Sequence, residues 1–147
     1  MSGVLKSALK YFWIFVFGIS SLATFSQTPA KPDSSEIQIK SADYLEIIQT
    51  KNVSINRLVN NVILVQKDLV LYCDSALLFK SSNIARAYGH VHLVQADSIH
   101  AFADSAYYDG NSKTAKLFSD VKLTDNSTTL TTNNLSYDLT TKIATYV

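Results

Sequence analysis

The chain holds one cysteine, two prolines and four glycines in 147 residues, and its formal charge is only +1. Each scarcity excludes something. A lone cysteine, Cys73, forms no internal disulfide, and its place in the apolar run Leu69-Val70-Leu71-Tyr72-Cys73 predicts a buried thiol. Both prolines, Pro29 and Pro32, fall before Asp33, so no later segment carries a residue barred from a sheet interior. The scattered glycines make no phosphate-cradling loop. Near-neutral charge leaves no electrostatic case for nucleic acid. At 47% hydrophobic and 17% charged, the sequence is too apolar for disorder and is expected to fold as one domain.

The first 26 residues stand apart. Lys6 and Lys10 precede an apolar run from Tyr11 to Phe25 that is shorter than the roughly 20 residues needed to span a bilayer. Thr24-Phe25-Ser26 then puts small side chains on either side of Phe25. This is the layout of a cleavable secretory signal, with the cut expected after Ser26. Its removal takes Lys6 and Lys10 with it and turns the formal charge to −1. No cysteine follows closely enough to make a lipoprotein anchor. Residues 27–36 read as a flexible leader, and the ordered domain is expected over 37–147.

Within that domain the sequence repeats. Ala42-Asp43, Cys73-Asp74, Ala103-Asp104 and Thr132-Asn133 recur at spacings of 31, 30 and 29. A second signature lies between them, in Asn60-Asn61-Val62-Ile63-Leu64, Gly89-His90-Val91-His92-Leu93 and Ser119-Asp120-Val121-Lys122-Leu123, at spacings of 29 and 30. Each unit therefore holds two segments of about ten residues, joined by short polar turns such as Gln66-Lys67-Asp68 and Gln95-Ala96-Asp97-Ser98. Inside each segment the residues alternate. Ala85, Ala87, Gly89, Val91 and Leu93 share one face against Arg86, Tyr88, His90 and His92, the period of a half-buried strand. Threonine runs and aromatic residues point the same way.

The Ala-Asp segments change phase at their acidic residue. Their small and apolar positions are Leu71 and Cys73, Ala101 and Ala103, Leu130 and Thr132 before it, then Ala76 and Leu78, Ala106 and Tyr108, Leu135 and Tyr137 after it. One flat strand cannot bury both sets. A bulge or corner is expected at Asp74, Asp104 and Asn133, giving bent strands stacked in rungs, some eight in all.

This alternation of G-x-V-x-L with A-D-S-A-x-Y-D, carried by Tyr72-Cys73-Asp74-Ser75-Ala76 and by Ala103 through Gly110 behind a secretory signal, resembles the OstA-like family of lipopolysaccharide-transport proteins, the LptA type, in its Bacteroidetes-like branch. The third repeat departs from it with Asn133-Asn134 for Asp-Ser, and the first has Asn60 in the usual glycine position. The resemblance implies an all-β, antiparallel jellyroll shaped like a half-open taco, whose apolar groove shields the acyl chains of lipopolysaccharide in the periplasm. It implies as partners lipopolysaccharide, inner- and outer-membrane transport components, and other copies docked head to tail. The groove is expected to be lined by Val62, Leu64, Leu71, Val91, Leu93, Ala101, Val121, Leu123 and Leu130. A structural β-solenoid with a self-filled core, or a glycan-binding module, are the alternatives.

Other chemistry finds little footing. His90, His92 and His100 invite a zinc site with Asp97 or Asp104, but the positions matching His90 are Asn61 and Asp120, and those matching His92 are Ile63 and Lys122. Solvated outward residues are the expected outcome, with no metal and no cofactor. Asp74 and Asp104 recur at equivalent places, which favours a backbone role at the corner over acid–base work. No serine has a histidine at a repeated spacing, so no enzyme is expected. The aromatics Tyr72, Phe79, Tyr88, Phe102, Tyr107, Tyr108, Phe118, Tyr137 and Tyr146 suit cross-strand packing better than a sugar platform. Finally, Lys142-Ile143-Ala144-Thr145-Tyr146-Val147 matches only the start of an earlier repeat, so the last rung is expected either to continue in a longer protein or to be completed by a partner.

Overall fold

Apolar residues in period-2 runs can bury one side only as extended chain, and nearly all of the described chain is strand. The computed structural model describes residues 35–146, so the expected signal and most of the leader lie outside the described residues. Nine strands follow in order: β1 (Gln38–Ser41), β2 (Tyr44–Gln49), β3 (Ser54–Gln66), β4 (Leu69–Phe79), β5 (Ile84–Gln95), β6 (Ile99–Asp109), β7 (Thr114–Thr124), β8 (Thr129–Asp138) and β9 (Ile143–Tyr146). A single 3-10 turn, Lys80–Ser82, separates β4 from β5. The strands form one antiparallel meander in the order β1-β3-β4-β5-β6-β7-β8-β9, with β2 also pairing β3. Because β1 pairs with the last residues of β3 and β2 with the first, the two are one strand interrupted at Ala42-Asp43. That interruption is why nine strands appear where eight were expected. No ladder among the described residues joins β9 back to β1, so the sheet is open.

The phase change is present in each Ala-Asp strand. In β4 the buried positions are Leu69, Leu71 and Cys73, then Ala76 and Leu78; in β6 they are Ala101 and Ala103, then Ala106 and Tyr108. The ladders shift register opposite Asp74, Asp104 and Asn133. The inserted residue, however, belongs to the facing strands. There Asn60-Asn61, Gly89-His90 and Ser119-Asp120 each place two consecutive residues at positive φ, between 45° and 75°. Two left-handed residues in a row re-aim a strand without changing which of its parities faces inward, so Ala85, Ala87, Val91 and Leu93 all stay buried. Gly89, the one glycine of the six, has no room for a side chain: a Cβ there would stand 2.3 Å from Asp74 Oδ2, at φ +75°.

Bending every strand at one level folds the sheet over on itself. One half carries Val62, Leu64, Leu71, Val91, Leu93 and Val121 inward; the other carries Leu58, Leu78, Leu117 and Leu135 among the small residues Ala76, Ala85, Ala87, Ala106 and Ala115. Large side chains on one half thus fill the space that alanines leave on the other, which is how a two-layer interior reaches close packing.

Candidate functional site

The interior between the two halves is the site to which the repeat leads. Of the expected groove residues, Val62, Leu64, Leu71, Val91, Leu93, Ala101 and Val121 are at most 2% exposed, while Leu123 and Leu130 are partly buried and pack against that cluster. All nine therefore share one apolar interior. It is filled by its own side chains: the void among Leu64, Leu69, Leu71, Ala85 and Tyr108 is about 10 Å³, room for one water molecule at most.

The two margins of the folded sheet meet along a mouth opposite the corner, and polar side chains bridge it. Gln95 Nε2 donates to the Leu139 carbonyl at 2.8 Å, and the Tyr137 hydroxyl donates to Gln95 Oε1 at 3.0 Å. One rung earlier, Gln66 Nε2 donates to the Gly110 carbonyl at 2.9 Å and the Tyr108 hydroxyl donates to Gln66 Oε1. Gln66 and Gln95, expected in polar turns, are instead the last inward residues of β3 and β5 and are 4–5% exposed. Buried amides need partners, and the phenols and carbonyls of the opposite margin supply them. Burial pushes the Tyr108 hydroxyl well above its ordinary range and raises that of Tyr137 in the same direction, so both stay protonated as donors. These two latches escaped the sequence reading. Their signal was present: Gln66 to Gln95 and Tyr108 to Tyr137 are each one repeat of 29 residues apart.

The start of the domain seals the first latch. Ile37 is buried against it, the Ile37 amide donates to Asn83 Oδ1 at 2.8 Å, and the Ser35 carbonyl accepts from Gln66 Nε2. Between the two latches lies a cleft of about 230 Å³, lined by Gln66 and Tyr108 of the first and Gln95 and Leu139 of the second, and rimmed by Lys67, Lys113 and Lys142 with Asp68.

Along the stack the interior runs out to both ends. At the first end Leu45 and Ile47 pair with Leu58 and Asn56 and face inward with them, yet they are 46% and 63% exposed. At the other end Ala144 and Tyr146 pair with the inward Tyr137 and Leu135, and Tyr146 is 60% exposed. A cleft of about 210 Å³ opens there among Ile99, Leu123, Leu130, Tyr137, Lys142 and Ala144.

The outward face sets His90 apart from His92 and His100, which it brings together. His90 Nδ1 sits 2.7 Å from Asp74 Oδ2 on the corner ridge; the preceding rung repeats the pairing, with Asn61 Nδ2 donating to Asp43 at 2.8 Å. The Asp74 hydrogen bond, joined by the charge of that carboxylate, raises the affinity of His90 for a proton. His92 lies 3.1 Å from His100 and stacks on Phe102 at 4.3 Å and on Tyr72 at 5.6 Å, and burial with the His100 charge lowers its proton affinity. Among the described residues no group of three or more His, Cys, Asp or Glu side chains is arranged to hold a metal ion. Of the aromatics, Tyr108 and Tyr137 point inward, while Tyr72, Tyr88, Phe102 and Phe118 are 39–43% exposed outside. Tyr88 and Phe118 flank Ser105 across three strands above Arg86 and Lys116, forming a shallow depression of about 380 Å³. Asp104 and Asn133 occupy the ridge beside the paired left-handed residues.

Comparison with curated proteins gives no match. Among solved structures, the chain is similar to LptH of Pseudomonas aeruginosa, described as the LptA-homologous periplasmic component of the lipopolysaccharide transport device, with 16% identity over 75% of this chain and 80% of that one and a TM-score of 0.66. The shared architecture is the β-jellyroll derived above. A family model described as OstA-like protein matches residues 34–147, the whole of the repeat region, and the chain therefore belongs to the OstA-like family.

Proposed function

We propose that this protein is a non-enzymatic periplasmic carrier of lipopolysaccharide, exported by residues 1–26, that shields acyl chains between the two halves of its folded sheet. One observation carries the reading: apolar inward rows continue to both ends of the stack, where Leu45, Ile47 and Tyr146 are exposed and Leu123 and Leu130 only partly buried. A protein that needed only a core of its own would cap those ends. Each acyl methylene taken from water contributes about 0.8 kcal/mol, so a continuous apolar passage is what a multiply acylated lipid requires. The edges of β2 and β9 leave backbone groups for strand addition by a neighbouring subunit or by membrane-bound transport components, which would join one interior to the next.

A photoreactive phenylalanine analogue at Leu123 or Leu130, with Lys116 on the outer face as control, tests this in living cells. Adducts with lipopolysaccharide are expected from the two inward sites alone. Their absence from every inward site would refute the carrier reading. The self-filled interior favours a second reading, a structural rung stack that takes up no lipid, and it predicts that same absence.

A further inference from the structure

We propose that the mouth cleft is an anion site, formed by Lys67, Lys113 and Lys142, for the phosphate headgroup of an acylated lipid whose chains enter beneath it through the Gln95–Tyr137 latch. The inference rests on the carrier reading and adds to it a place of entry and a headgroup chemistry.

Three observations converge. First, the two clefts adjoin: Lys142 borders both the polar cleft at the latches and the largely apolar cleft at the end of the interior, which also holds Asp125 and Thr128. An amphiphile therefore finds cations and a hydrocarbon-like surface side by side. Second, the lysines carry no ion pair among the described residues, and the rim itself holds one carboxylate, Asp68, against three cations, with Asp125 and Asp138 farther in, where their charges act on the Tyr137 hydroxyl. A dianionic group matches that balance, and lysine serves phosphate as a compact point charge. Third, the lysines stand where backbone geometry disfavours them. Lys67, Lys113 and Lys142 have φ of 53°, 54° and 59°, a region that glycine and asparagine enter most cheaply. The β4–β5 turn, away from this cleft, has Asn83 at the equivalent position with φ 56°. The β5–β6 turn bears a similar cost with Ala96 at φ 50°, so the position admits several residue types, and the three turns that rim the cleft fill it with cations.

Entry at the second latch follows from what covers the first. The cleft reaches both latches, but the Ser35 carbonyl and buried Ile37 tie Gln66 to the start of the domain, whereas the hydrogen bonds of Gln95 run to Leu139 and Tyr137. Headgroup capture above that latch would bring the chains to the one bridge that opens without moving the start of the domain.

Equilibrium binding of fluorescent bisphosphorylated lipid A to the purified protein tests this, beside dephosphorylated lipid A of the same acylation and inorganic pyrophosphate. Replacing Lys67, Lys113 and Lys142 together by asparagine copies Asn83 and keeps a residue suited to the turn. Binding of the bisphosphorylated lipid is expected to weaken roughly 30- to 100-fold at low salt, a difference that shrinks as salt screens the site, with the dephosphorylated lipid unaffected. Equal binding of both lipids by wild type and variant would overturn the headgroup site while leaving the carrier reading intact. Failure of the wild type to bind either lipid would overturn the carrier reading and this inference with it. Pyrophosphate binding as tightly as the lipid would identify free phosphate as the ligand and also overturn the proposal.

Discussion

The Gln95–Tyr137 bridge makes a quantitative demand. Replacing Gln95 by leucine removes the donor to the Leu139 carbonyl and the acceptor of the Tyr137 hydroxyl, both inside the closed mouth. Each buried group left without a partner costs about 1–3 kcal/mol, and the added apolar surface returns part of that, so Gln95→Leu should destabilise by about 3 kcal/mol. Tyr137→Phe removes one donor and orphans only the Gln95 carbonyl oxygen, at about 1–2 kcal/mol. In the double variant the phenol and the amide are both gone and the Leu139 carbonyl alone lacks its partner. Its cost should therefore fall short of the sum by about 2–3 kcal/mol, the coupling of a shared buried contact. The chain's one tryptophan, Trp13, lies in the signal segment, so urea unfolding is followed by far-UV circular dichroism or tyrosine fluorescence. Additivity within about 0.5 kcal/mol would show that the two side chains do not act as a pair, and the latch argument would fall.

Other consequences are as definite. Gly89→Ala should cost about 1–3 kcal/mol, from positive φ and from a Cβ driven against Asp74, and adding Asp74→Ala should restore part of it in the same unfolding assay. Leu93→Ala should destabilise by about 3 kcal/mol, since Leu93 is fully buried in the core cluster. The Asp74 partnership raises the His90 proton affinity, so its stabilisation is full below the ordinary histidine pKa and fades as pH rises through the raised value. The gap between wild type and Asp74→Asn, measured by urea melts from pH 5 to 9 at low salt, should close in that direction; a gap widening with pH would contradict the pairing. Burial pushes the Cys73 thiol up to about 11, so Ellman's reagent at pH 7.5 should react with it only as fast as the protein unfolds.

The strands were legible because every unit repeats and a period of two leaves few alternatives. Their corners were legible too, since Cys73 and Ala76 cannot both point inward on a flat strand. What the pattern concealed was which strand carries the extra residue. Left-handed backbone at Asn60-Asn61, Gly89-His90 and Ser119-Asp120 falls on residues of which one in six is glycine, so the cue lay in aligned Asn, Gly, Ser and Asp side chains, which tolerate that region best. The latches were hidden for another reason. Glutamine beside lysine and aspartate reads as a turn, and only inward parity through Val62, Leu64 and Gln66 shows it to be a core position. For the same reason Tyr108 and Tyr137, counted among cross-strand packing aromatics, are the donors that close the mouth.

A closed interior and a carrier of lipid are compatible if opening is cheap, and the composition of the two halves makes it so. The half beyond the corner sets five buried alanines, Ala76, Ala85, Ala87, Ala106 and Ala115, among Leu58, Leu78, Leu117 and Leu135, so the leucines and valines of the first half meet an apolar surface. An acyl chain sliding between them replaces one apolar contact with another of similar area, and dispersion and burial change little. The cost of admission is then concentrated in groups that an acyl chain cannot satisfy, the amide, phenol and carbonyl of each latch. These sit at the mouth, where water and a phosphate headgroup can take over their hydrogen bonds once the margins part. Polar closure at the rim over an apolar interior thus makes opening a matter of a few hydrogen bonds per rung, while the corner, held by Asp74 and the paired left-handed residues, stays fixed as the hinge.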